Sequence, residues 1–252
     1  IVPQTKTISK WNVIKDPEES CSTGSLDFDA LLQKHGFMKG TFTLLEYDPD
    51  VPIDSLKYLI TSAICNFARS RKAVVVYSLD SQETKILDRS RILLYLSEED
   101  INERIRILRN DDDLSAEKRE YVIPIQFEQF PQKFNELYVE MSNKTKNLPL
   151  LSIMSYNSLD LSKNDGNRLD LFLSHIKSVK KENIIEISIL NSHRSGSDNL
   201  NDQIASFADT HFKIVNLFGD IFLFGVKPFT PVYHFGVDYV KGNLKVLLTK
   251  IL

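Results

Sequence analysis

Cysteine is scarce. Cys21 and Cys65 are the only two in 252 residues, too few for a disulfide framework and too far apart for a metal-ligand pair. Cys65 lies in an apolar helical stretch and reads as a small buried hydrophobe. The five histidines, His35, His175, His193, His211 and His234, show no ligand spacing, and no G-x-S-x-G accompanies them. No metal centre and no nucleophile–base set is therefore expected, and His234, within Tyr233-His234-Phe235, reads as a packed histidine. No apolar run approaches the roughly 18 residues of a membrane span. The first residues do not read as a charged-then-apolar leader either, so the expectation is a cytoplasmic protein with no membrane contact. Glycine is sparse at nine residues. Charge of neither sign dominates: a net charge of −3 and a pI near 6.0 argue against a general polyanion binder and leave room only for a local basic patch.

What is present is an ordinary globular composition, 42% apolar and 26% charged, enough for a sizeable core, and one large α/β domain fits it as well as two small ones. Polar residues 1–20 read as an N-terminal arm with a single aromatic anchor, Trp11. Thr41–Glu46 clusters apolar residues as a buried strand does, and Asp54-Ser55 offers a helix N-cap. The helix that follows carries Ile60, Ala63, Ile64 and Phe67 as a core stripe and ends in Arg69, Arg71 and Lys72, cations suited to a helix C-terminus. Ala73–Leu79 is almost wholly apolar and predicts a parallel strand buried on both faces. Asp80 and Glu83 follow at its tip, where carboxylates commonly end strands.

Residues 84–147 are less legible. Ile92–Leu96 reads as a short strand and Phe127–Met141 as a helix, and Asp111-Asp112-Asp113 reads as a solvated turn rather than a cation site. Leu148–Asp160 opens as an apolar strand. A helix is predicted from about Gly166 to Lys180, then a strand over Ile184–Leu190 and a polar loop containing His193 and Arg194. From His211 onwards, apolar alternation broken at Phe218-Gly219-Asp220 and Lys241-Gly242-Asn243 predicts antiparallel hairpins.

Ser22-Thr23-Gly24-Ser25-Leu26-Asp27, then Asp29-Ala30-Leu31-Leu32, Gly36 and Gly40, resembles the S-T-G-x-x-x-L-D-x-x-L lead-in of the RecA/KaiC-like P-loop ATPases. The resemblance covers residues 20–80 and 148–252. It implies a RecA-like three-layer α/β/α fold with a mostly parallel central sheet and C-terminal antiparallel strands, residues 21–252 forming a single RecA/KaiC-like domain.

The family's next element is a phosphate-binding loop, G-x-x-G-x-G-K-[ST]. In register, Tyr47, Asp50 and Pro52 stand at the glycines, Ile53 at the lysine and Asp54 at the magnesium-binding hydroxyl, with Ser55 next. Glycines let the backbone approach phosphates, which tyrosine, aspartate and proline do poorly. The lysine supplies the charge that meets the β/γ-phosphates, and Asp48 and Asp50 would repel them. At the strand end where the family places its magnesium-shell aspartate, Asn157 stands in Asn157-Ser158-Leu159, although Ser155 or Tyr156 are alternative registers. Lys227-Pro228-Phe229 keeps the lysine of the family's K-x-R and lacks its arginine.

The resemblance, with these replacements, implies a pseudo-ATPase without a cofactor, not an enzyme. It would act as an interaction or regulatory subunit beside copies of itself or an active RecA-fold paralogue. Two alternatives stay open: a divergent ATP-binding ATPase, and a nucleic-acid-binding subunit that uses His193 and Arg194.

Overall fold

A computed structural model describes residues 11–78, 92, 94–110, 121–125, 129–155, 166–192, 198–240 and 243–251. Asp80, Glu83, Asp111–Asp113, Asn157, His193 and Arg194 lie outside the described residues.

Twelve strands and six α-helices are described. In chain order they are β1 (Ser20–Cys21), α1 (Leu26–Asp29), β2 (Phe37–Met38), β3 (Thr41–Tyr47), α2 (Ile53–Arg69), β4 (Ala73–Ser78), α3 (Glu98–Arg104), β5 (Ile105–Asn110), β6 (Val122–Ile125) and α4 (Phe130–Lys144). They continue with β7 (Leu150–Ser155), α5 (Gly166–Lys181), β8 (Ile184–Asn191), α6 (Asp198–Phe207), β9 (Thr210–Leu217), β10 (Asp220–Lys227), β11 (Tyr233–Val240) and β12 (Asn243–Lys250). Ten strands form one sheet in the order β12-β11-β10-β9-β3-β8-β7-β4-β5-β6. The run from β9 to β6 is parallel, and β10, β11 and β12 continue it antiparallel. The expected α/β fold, a mostly parallel sheet with antiparallel strands at its end, is the one observed.

The period-2 alternation of the strands divides the core in two. Leu45, Val74, Val76, Ile185, Ile187 and Ile189 face α2. Phe42, Leu44, Ala73, Val75 and Tyr77 face α4, α5 and α6. This gives three layers, helices on both faces of a sheet whose central strands are apolar on both sides.

α2 is the most deeply enclosed helix. Leu59 through Ala68 are all buried, so the helix is covered on every side rather than along one stripe. The sheet covers one side; the segment before β1 covers another. Trp11 is buried, donates Nε1–H to Asn66 Oδ1 at 3.5 Å, and stands edge-on to Tyr95 at 5.1 Å. The Asn66 side chain also accepts from Ile14 N and donates to the Ile14 and Ser22 carbonyls, so this buried amide is satisfied. Lys72, one of the cations at the helix end, is buried in an ion pair with Asp16.

Two local expectations are corrected. α2 begins at Ile53 after Pro52, which makes no side-chain cap, rather than at Asp54-Ser55; the fixed φ of Pro52, −58°, leads the chain into the helix in place of a capping hydroxyl. Ile92, Leu94 and Tyr95 are helical, where a strand was expected, with Leu96 N–H bonded to the Ile92 carbonyl at 2.9 Å. Five apolar residues suit either structure by themselves, and packing of Ile92, Tyr95 and Leu96 into the α2-side core decides it.

Candidate functional site

The carboxyl ends of β3, β8, β7 and β4 share one edge of the sheet, the place where open parallel α/β sheets bind ligands. The turn from β3 into α2, residues 48–52, lies there between the ends of β8 and β9. Its polar groups are turned onto its neighbours. Asp48 N–H donates to the Ile214 carbonyl at 3.0 Å, and Val51 N–H donates to the Asp48 carbonyl at 3.0 Å. Asp48 Oδ1 accepts from Ser192 Oγ at 2.8 Å, while Ser192 N–H reaches the Tyr47 carbonyl at 2.9 Å. Asn216 Nδ2 donates to the Asp50 carbonyl at 2.9 Å. Pro49 and Pro52 have no N–H to offer.

The flanking side chains are equally committed. Tyr47 and Val51 are buried in the α2-side core, against which Ile53 packs. Asp54 forms an ion pair with Lys57 at 2.9 Å, and Ser55 N–H caps back onto the Pro52 carbonyl. Tyr47, Asp48, Asp50, Pro52, Ile53, Asp54 and Ser55 are thus brought together as one strand–turn–helix, braced by β8 and β9. On β7 the description ends at Ser155, whose hydroxyl is buried with no hydrogen-bond partner among the described residues. At the far end of β10, Lys227 Nζ donates to the Ala208 carbonyl at 2.6 Å, and Phe229 projects into solvent, 89% exposed.

The Ser22-Thr23-Gly24 lead-in has a structural role of its own. Ser22 Oγ and Thr23 N–H both donate to the buried Asp29 carboxyl, at 2.5 and 2.7 Å. Ser25 caps α1 through Phe28 N–H, and Gly24 lies against Ser62 of α2. Burial pushes the Asp29 carboxyl above its usual range, partly offset by these two donors.

Sequence reading missed two polar clusters, because each is assembled across long stretches of chain. On the α6 side of β3, Glu46 accepts from His211 at 2.8 Å and pairs with Lys213 at 3.1 Å. These groups line a recess of ≈ 510 Å³ with Asn201, Asp202 and Lys227. Burial pushes the Glu46 carboxyl up, but the His211 hydrogen bond and the Lys213 charge together outweigh it and hold Glu46 below its ordinary 4.5. A depressed carboxylate stabilises the fold above its unfolded pKa and loses that contribution as pH falls through the folded value. Glu46→Gln is accordingly expected to cost about 1–2 kcal/mol near neutrality, a difference that shrinks as pH drops below 4.5. Urea midpoints of both proteins across pH 3–7 measure it; a pH-independent difference contradicts it.

The second cluster is a basic recess of ≈ 970 Å³ at the opposite edge of the sheet, lined by Arg71, Arg104, Arg106, Lys144 and Lys146. No group of three or more His, Cys, Asp or Glu side chains among the described residues is arranged to hold a metal ion. His234, expected to be packed, stands edge-on to Phe222 at 5.8 Å and lies 3.5 Å from Asp220, its side chain 44% exposed.

The architecture and the position of the β3–α2 turn define a RecA/KaiC-like fold. The similarity extends to a solved structure, KaiC-like protein PH0186 from the hyperthermophilic archaeon Pyrococcus horikoshii OT3. The two superpose with a TM-score of 0.61 at 12% identity, over 91% of this chain and 99% of that one. The likeness therefore includes the middle of the chain that the sequence resemblance left out. No family model matches the sequence, and no curated protein matches it. No helix among the described residues is long and apolar enough to cross a membrane.

Proposed function

We propose that this chain is a RecA/KaiC-like subunit that does not hydrolyse ATP and acts through its surfaces, as an interaction or regulatory member of an oligomer. The reading rests chiefly on the β3–α2 turn. A phosphate cradle needs free amides, close backbone approach and a lysine. Here Ile53 packs against the core at the lysine position, and Asp54, at the hydroxyl position, is engaged by Lys57. Asp48 is tied to Ser192 and Ile214, and two prolines remove donors. The Asp48 and Asp50 carboxylates would repel a triphosphate by on the order of 1 kcal/mol per close pair in water, and by more where water is excluded. Lys227 is spent on Ala208 of its own chain, and no arginine follows it to reach a neighbouring subunit. A scaffold in this condition keeps its edges and faces for association with itself or with an active RecA-fold paralogue.

The test pairs titration with turnover. Incubated with ATP and magnesium, the purified chain is expected to release no phosphate above buffer, and native mass measurement with and without lysate is expected to show a particle heavier than one chain. Micromolar binding accompanied by turnover overturns the proposal.

A further inference from the structure

The basic recess lies at the edge of the sheet opposite the β3–α2 turn, where β4, β5 and β7 begin. Five cations converge there from five places in the chain: Arg71 after α2, Arg104 at the end of α3, Arg106 on β5, Lys144 at the end of α4, and Lys146 beyond it. In a chain of net charge −3, this is a local reversal of sign. Part of it has a structural explanation, since α2, α3 and α4 all end here and cations at helix C-termini complement the dipole. That accounts for Arg104 and Lys144, each in the last turn of its helix.

It does not account for the rest. Arg71 and Lys146 lie beyond the helix ends, exposed, in left-handed backbone (φ 63° and 55°) where glycine is the common choice. Neither has an ion-pair partner among the described residues. The carboxylates nearby are shared rather than matched. Asp100 is divided between Arg69 and Arg104, at 3.2 and 2.6 Å. Glu140 is divided between Arg106 and Lys144, at 3.3 and 2.6 Å. Glu103, itself part of the recess lining, touches Arg104 at 3.2 Å. The buried Arg106 guanidinium is fixed by the Asn102 and Ile105 carbonyls at 2.6 and 2.8 Å, so its position is set before any ligand arrives.

We propose that this recess binds a multiply charged phosphate-type anion, an oligophosphate or a small molecule carrying several phosphates. Guanidinium forks and lysine ammoniums suit phosphate oxygens. No aromatic ring lines the recess, so it offers no platform for stacking a base, which single-stranded nucleic-acid sites supply.

The test titrates the full chain with tripolyphosphate at about 50 mM salt, in the wild type and in the double variant Arg71→Ser/Lys146→Ser, whose side chains are exposed. Wild-type binding is expected to weaken about tenfold in the double variant and to weaken again near 200 mM salt, with an unchanged melting curve. Absence of heat in the wild type, or equal affinity in both proteins, overturns the proposal. A third arm titrates fifteen-residue oligothymidylate. Competition with tripolyphosphate at equal affinity per phosphate reassigns the recess to a nucleic-acid backbone and overturns it as well. None of these outcomes depends on the β3–α2 turn, and ATP turnover is measured separately.

Discussion

Replacing His175 with alanine is expected to lower the free energy of unfolding by about 3–5 kcal/mol. His175 on α5 and Glu186 on β8 are both buried, 3% and 0% exposed, and their Nε2 and Oε2 atoms are 3.1 Å apart. Ser188 Oγ donates to the other carboxyl oxygen at 3.0 Å. The imidazole is wedged against Phe130 and Phe134, ring centres 5.2 and 4.6 Å away. The truncation opens a cavity under α4 and leaves Glu186 in an apolar layer with only the serine to satisfy it, and a buried polar group that loses its partner is left with its desolvation cost uncompensated. Glu186→Gln keeps the volume and a hydrogen-bonding amide, so it should cost less, about 1–2 kcal/mol. Urea unfolding of the three proteins at neutral pH measures both. A loss below 1 kcal/mol in His175→Ala would mean that the pair contributes little beyond filling space.

Gly24→Ala should be nearly as damaging, by a different mechanism. Gly24 adopts φ +81°, and a Cβ there would lie 2.5 Å from the Ser62 carbonyl oxygen and 2.7 Å from Ser62 Oγ. Ser62 belongs to the enclosed middle of α2, so neither backbone has room to withdraw. Left-handed backbone costs an L-residue about 1 kcal/mol, and forced overpacking adds about 1–3 kcal/mol. The expected loss is therefore about 2–4 kcal/mol. Gly219→Ala supplies the control: φ is +97° there, but nothing lies within 4 Å of the added carbon, so only the conformational part, about 1 kcal/mol, is expected. Thermal melts of the two variants separate sterics from backbone preference, and equal losses would refute the close approach to Ser62.

The glycine in the S-T-G lead-in thus has a reason that the motif alone did not reveal. Read as a string, Ser22-Thr23-Gly24 marks a family frame. In the fold, Ser22 and Thr23 anchor on Asp29, and Gly24 is the contact that seats this segment on the helix leaving the β3–α2 turn. Among the hairpins, the strands either side of Gly219 were legible because their alternation and the turn residue agree. β5 was not, since α3 runs into it with no intervening loop (Arg104 is followed directly by Ile105) and its arginines disguise a strand next to the sheet edge.

The sequence by itself determined the apolar runs that become β3, β4, β7 and β8, the core stripe of α2, and the chemical character of the β3–α2 turn, because each depends on neighbours along the chain and on side-chain type. Only the tertiary structure decided that Asp48 bonds Ser192, that Glu46 meets His211 and Lys213, and that Arg71, Arg104, Arg106, Lys144 and Lys146 face one recess. Those encounters follow from strand order in the sheet. Strand order is fixed by the free energy of the whole packed core, not by any local pattern that a stretch of residues can carry.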